Sequence, residues 1–236
     1  MNADMRPRRR YLPASLLGVA MAASLFGPGA ALAATPVQFG PNLNANGWRL
    51  MTFPRRAPAQ FTAAEPGTLA VRADRGVAVL WRQITPAVAN PVNARWRWRV
   101  ESSVGPTDLA RKGGDDRALA VYFVFSDTLG GNEPIDLGNA MRSGQANILI
   151  YVWGGSAPKG RVLASPYLGR NGRTIVLQSA ADTIGNWTAE RVDLSADYRK
   201  AFGGAAPTLV AVAVSSDSDD TSGINVGAVG DLTINP

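Results

Sequence analysis

Asn93-Ala94-Arg95-Trp96-Arg97-Trp98-Arg99-Val100-Glu101 alternates without a break between uncharged, mostly apolar, and polar side chains. In a strand, successive residues point to opposite faces. Trp96, Trp98 and Val100 therefore face one way, and Arg95, Arg97, Arg99 and Glu101 the other. A helix would spread both sets around its circumference. The segment predicts a strand with one wet face and a tryptophan face that needs a second layer packed against it.

The chain on either side repeats the theme of short apolar runs between turn residues. Strands are predicted over 67–73, 77–84, 118–125, 148–153, 173–178, 187–194, 209–215 and 225–234. The runs 118–125 and 148–153 are apolar on both faces, which marks central strands. Asp74-Arg75-Gly76 reads as a three-residue hairpin loop with glycine last. One helix is predicted after Ser195, with Tyr198 and Phe202 four apart on one face and Gly203-Gly204 at its end. A second, weaker helical pattern runs from Asp136 to Arg142. The expected fold class is all-β: a jelly-roll-like antiparallel β-sandwich with one or two short helices.

The first residues read as a targeting segment. Arg6, Arg8, Arg9 and Arg10 precede an uncharged stretch from Leu12 to Leu32 that is interrupted by Pro13, Gly18 and Pro28. Ala31-Leu32-Ala33 is a small-x-small cleavage box, so residues 1–33 are expected to be a signal peptide cut before Ala34. Arg8-Arg9-Arg10-Tyr11-Leu12 also resembles a twin-arginine signal. Residues 34–47 form an extended lead-in and 48–236 a single β-sandwich domain. The expected location is periplasmic or secreted, with no membrane anchor after processing.

The chain holds 24 basic and 18 acidic residues; losing the leader's four arginines and Asp4 leaves 20 and 17. That balance, spread in short clusters such as Arg55-Arg56 and Arg199-Lys200, gives no footprint for nucleic acid. There is no cysteine, so no disulfide braces the fold. There is no histidine, which removes a His general base, a Ser-His or Cys-His pair and imidazole metal ligands. No cofactor is expected.

Several segments occur in an order that resembles a family of exported bacterial proteins, the domain of unknown function 3047. They are Trp96 to Val100, Lys112-Gly113-Gly114-Asp115-Asp116-Arg117 leading into Val121-Tyr122, Tyr151-Val152-Trp153-Gly154, and Ser165-Pro166-Tyr167 with Arg170. Trp187 to Phe202 and Asp217-Ser218-Asp219-Asp220-Thr221 complete the set. The resemblance implies a β-sandwich and a periplasmic setting, and no activity. Ser222 stands where glycine is expected directly after the threonine.

Lys112 to Arg117 is the first candidate site: two glycines, two carboxylates and two cations at the start of a central strand. It reads either as a polar cluster that hydrogen-bonds a ligand or as a tight turn whose aspartates accept backbone amides. The loop Asp217 to Thr221 resembles half of a calcium loop. Its sixth and twelfth positions, Ser222 and Ala228, lack the required glycine and carboxylate, so no metal is expected there. Among the aromatics, Trp96 and Trp98 read as core; Tyr151 and Trp153 before Gly154-Gly155 are the better candidates for a binding surface, and core or rim packing is the reading that stands against it.

The expected ligand-binding set is thus Lys112, Asp115, Asp116, Arg117, Tyr151, Trp153 and Arg170, with no catalytic residue and no metal. Asp115 and Asp116 are adjacent and point apart in an extended chain, so they cannot flank one bond as an acid–base pair. The leading reading is a non-catalytic binding or accessory module for a carbohydrate or envelope component. Two others stand beside it. One is a polysaccharide-active enzyme, a glycosidase or lyase, using Asp115 or Asp116 with Tyr167 or Arg170. The other is a structural or protein-interaction component of the cell envelope.

Overall fold

In the computed structural model, Trp96, Trp98 and Val100 are buried, while Arg95 and Glu101 are exposed and Arg97 and Arg99 half-buried. The structure describes Met1, residues 34–130 and residues 133–235; apart from Met1, the expected leader 1–33 lies outside the described residues.

The described elements begin with β1 (Thr35–Pro36), β2 (Trp48–Thr52), β3 (Gln60–Ala63), β4 (Thr68–Asp74), β5 (Val77–Val88), β6 (Asn93–Ser102) and β7 (Arg117–Phe125). They continue with α1 (Leu137–Ser143), β8 (Asn147–Trp153), β9 (Val162–Ser165), β10 (Gly169–Gln178), β11 (Thr188–Asp193), α2 (Leu194–Phe202), β12 (Leu209–Asp217) and β13 (Ile224–Asn235). One sheet runs β11-β6-β13-β4-β3, with β1 on β13, and the other β2-β5-β12-β7-β8-β10-β9. Every strand pair is antiparallel except β8 with β10, which are parallel. The fold is a jelly-roll-like β-sandwich.

The main core lies between the sheets. Trp96 meets Trp98, Phe123 and Tyr151 with ring centroids 5.5–6.0 Å apart, and Trp98 meets Trp153 at 5.7 Å. Truncating any one of these large buried rings to alanine costs about 3–5 kcal/mol. A second apolar layer covers the outer face of the seven-stranded sheet. β7 divides its side chains between them: Leu119, Val121 and Phe123 go inward, and Ala120, Tyr122 and Val124 outward under Leu109 and α1. That division explains why the run is apolar on both faces.

Asp74-Arg75-Gly76 is not a hairpin loop. β4 pairs with β13 and β3, and β5 with β12 and β2, so the turn carries the chain from one sheet to the other. Arg75 adopts φ 49° and donates its amide to Gly223 O, while Gly76 O accepts from Ser218 N. The helix predicted after Ser195 starts earlier, at Leu194: Asp193 is its cap and accepts the Ala196 amide at 2.8 Å. Asp136 caps α1 in the same way, at 2.9 Å from Asn139 N. The lead-in is tied down by β1 and by Val37 and Phe39, which enter the core.

Candidate functional site

Arg117 begins β7 and faces Asp217, the last residue of β12, across the ladder. The pairing brings a basic and an acidic side chain together on the outer face of the seven-stranded sheet, 100 residues apart in sequence. Arg117 Nη1 donates to Asp115 Oδ2 and Asp217 Oδ2, both at 3.3 Å, and to Asp115 O at 2.9 Å. Nη2 donates to Tyr122 OH at 2.8 Å and approaches Ser215 Oγ at 3.4 Å. Asn225 fixes the base of the network, giving its amide hydrogens to Arg117 O and Asp217 O at 3.0 and 2.7 Å.

The loop Asp217 to Thr221 is closed from behind by Asp116, which is fully buried. Asp116 Oδ2 accepts the Thr221 amide at 2.7 Å and its hydroxyl at 2.6 Å, and Oδ1 approaches the Asp220 amide at 3.4 Å. From the side, Arg56 pairs with Asp219 at 3.0 Å and Asp220 at 3.5 Å. Two loops distant in sequence are thereby held as one unit.

In front of this unit lies a cleft of about 290 Å³. Its polar wall is Asp115, Arg117, Tyr122, Asp217, Asp219 and Asp220, and its apolar wall includes Phe53, Leu109, Met141, Ile150 and Tyr167. Tyr167 is 61% exposed; its hydroxyl accepts the Gly113 amide at 3.2 Å, and Lys112 Nζ stands 5.7 Å from its ring centre. A wider groove of about 1170 Å³ flanks the lead-in against β6 and β11. The smaller cleft is the candidate site, because buried ionisable groups converge on it.

Burial pushes the Asp115 carboxyl up, with Arg117 pulling the other way. Burial also pushes Asp217 up to about 8 against the opposing pull of Arg117. Asp219 is raised by burial and by the charge of Asp220, and Arg56 offsets part of this. Burial pulls Arg117 down, but Tyr122, Asp217 and Asp115 outweigh it and hold the guanidinium charged.

Of the seven residues expected to bind ligand, the structure brings Asp115 and Arg117 to the cleft and sets Lys112 beside it on Tyr167. Asp116 lies behind the cleft as a brace for the acidic loop. Tyr151 and Trp153 are in the core between the sheets, 0% and 1% exposed, so neither forms a binding surface. Tyr151 donates its hydroxyl to Asp197 at 2.8 Å. Arg170 is exposed at the start of β10 and does not line the cleft. Sequence reasoning missed Arg56, Phe53 and Tyr122, which carry no local signal, and placed the acidic loop outside the site.

The architecture and the cleft define a β-sandwich protein with an acidic, partly aromatic pocket on its seven-stranded sheet. Residues 46–233 match a family described as protein of unknown function, DUF3047, and the chain belongs to that family. No curated protein matches the sequence. Among solved structures, the chain is similar to the xyloglucanase domain of NopAA from Sinorhizobium fredii, solved with cellobiose. The two share 12% identity over 84% of this chain and 94% of that one, with a TM-score of 0.43. It is similar to lectin UEA-II complexed with galactose, at 9% identity over 87% and 99% of the chains, TM-score 0.47. It is also similar to the Emp47p carbohydrate recognition domain, at 10% identity over 89% and 98%, TM-score 0.37. No cleft residue takes a role from these likenesses.

Proposed function

We propose that this protein is a non-catalytic binding module for a glycan, acting outside the cytoplasm. The observation that carries the reading is the cleft itself. The exposed ring of Tyr167 faces a wall of carboxylates and a fixed guanidinium, Arg117. Flat aromatic faces suit the apolar side of a sugar ring, and charged acceptors and donors suit its hydroxyls. Binding is favoured over catalysis because the two buried carboxylates of the wall, Asp115 and Asp217, are both tied to one guanidinium, Arg117, and so serve its position first.

A glycan array probed with the purified protein tests the reading. The expected result is a bound set of glycans that Tyr167→Ala loses while keeping wild-type stability. An array on which the protein binds no glycan would overturn it. The extracytoplasmic setting rests on residues 1–33 of the sequence, and exported protein whose sequence begins at Ala34 would support it.

A further inference from the structure

The cleft has two unlike ends. Asp217 lies on β12 and Thr174 on β10, with β7 and β8 between them, so three strand spacings, roughly 14 Å, separate them across the sheet. Arg117 gathers Asp115 and Asp217 at the first end. At the second, Thr174 stands beside Ile150 in the β8–β10 ladder, and Ser165 is two residues along β9 from the partner of Thr174. Leu168 and Ser165 both lie against Gly172, and Leu168 packs on the same outer apolar layer as Ile150. Ser165, Leu168, Thr174 and Ile150 all line the cleft. Thr174 and Ser165 are buried, 5% and 6% exposed, yet neither hydroxyl meets a hydrogen-bond partner among the described residues.

This second end suits neither a bare sugar nor a bare hydrocarbon. A sugar hydroxyl laid on Ile150 and Leu168 would give up water and gain no partner. A hydrocarbon there would cover the hydroxyls of Ser165 and Thr174 and leave them unsatisfied. An acyl group answers both, since its carbonyl is an acceptor and its alkyl end is apolar. The carboxylates at the first end repel a carbonyl oxygen and suit the hydroxyls of a sugar, which fixes the orientation.

Resting on the glycan reading above, we propose that the cleft selects a sugar bearing an acyl group, linked as an amide or an ester. The carbonyl accepts from Thr174 and Ser165, and the alkyl end packs on Ile150 and Leu168.

The test is calorimetric titration of the purified protein with methyl glycosides of the gluco, galacto and manno series. Each series comprises the parent sugar, the free amino sugar, its N-acetyl derivative and an O-acetyl derivative of the parent. In at least one series an acetylated sugar should bind about tenfold or more tighter than its parent, and which derivative does so separates amide from ester. Thr174→Val, which exchanges the hydroxyl for a methyl group, and Leu168→Asn should each narrow that ratio about threefold or more. Equal binding of parent and acetylated sugars overturns the acyl site and leaves the glycan reading standing. Tightest binding of the free amine does the same, because selection would then lie with the acidic wall. Undiminished ratios in both folded variants overturn the site too; should neither fold, the wild-type series decides. Binding of none of these sugars overturns the acyl site, and an array without a bound glycan overturns the reading beneath it as well.

Discussion

The carboxylate of Asp116 holds Thr221 by two bonds to one oxygen, from the amide at 2.7 Å and the hydroxyl at 2.6 Å. The glycine-rich turn before β7 therefore serves to dock the loop after β12. Removing the buried carboxylate takes away both hydrogen bonds that anchor Thr221, so Asp116→Ala should cost about 1–3 kcal/mol. Urea melts in chelator-containing buffer, with Asp115→Ala measured alongside, check this. Wild-type stability in Asp116→Ala would mean that the loop is held by something else.

Arg117 carries the larger energy. Its side chain is 12% exposed and answers Asp115 and Asp217, which are 9% and 11% exposed. Breaking a buried ionic network by removing one side strands the other, at about 3–5 kcal/mol. Arg117→Met, which preserves bulk but not charge, should show that loss in denaturant melts. A loss below about 1 kcal/mol would place these groups in the range of surface ion pairs.

Tyr167 gives the opposite signature. Exposed as it is, its truncation should change stability by no more than about 0.5 kcal/mol. Glycan affinity should fall at least tenfold in Tyr167→Ala, read by titration with whichever oligosaccharide the array identifies. Retained affinity would move the binding surface off this cleft.

Asp193 provides a pH-dependent case away from the site. The hydrogen bond from the Ala196 amide, then that from Ser195, lowers its carboxyl below the ordinary 3.8. A lowered folded value means the cap stabilises above the ordinary value and loses that contribution as pH falls through the folded one. Asp193 is exposed, so Asp193→Ala should cost about 0.5–1 kcal/mol at pH 7, the low end for a helix cap. Melting temperatures of the two proteins should converge on acidification. A gap that persists at pH 2 would assign the effect to something other than the charged cap.

Periodicity revealed β6 because its two faces differ, and α2 because Tyr198 and Phe202 meet one turn apart, with ring centres 4.9 Å apart. Periodicity failed at β8 for a physical reason. Ile148, Ile150 and Val152 face the outer apolar layer, and Leu149, Tyr151 and Trp153 the inner one. With both faces apolar, alternation could not show that Tyr151 and Trp153 pointed into the sandwich. Turn chemistry at Asp74 to Gly76 marked a reversal but not whether the flanking strands paired. Of the cleft, Asp115 and Arg117 were visible as a charged turn. Their meeting with Asp217 is set by the register of β7 on β12, a contact that no local window contains.

The last two strands occupy interior places in both sheets: β12 lies between β5 and β7, and β13 between β6 and β4. Residues 209–235 thus supply the seam of each layer, and a nascent chain that stops short of them leaves each sheet as two separate halves with open edges. Assembly cannot proceed domain-front first from the amino end as the polypeptide emerges. It awaits late synthesis, with sequence-distant pairings and a correspondingly slow search. Throughout that interval the unpaired edges of β4, β5, β6 and β7 are open to a chaperone or to aggregation.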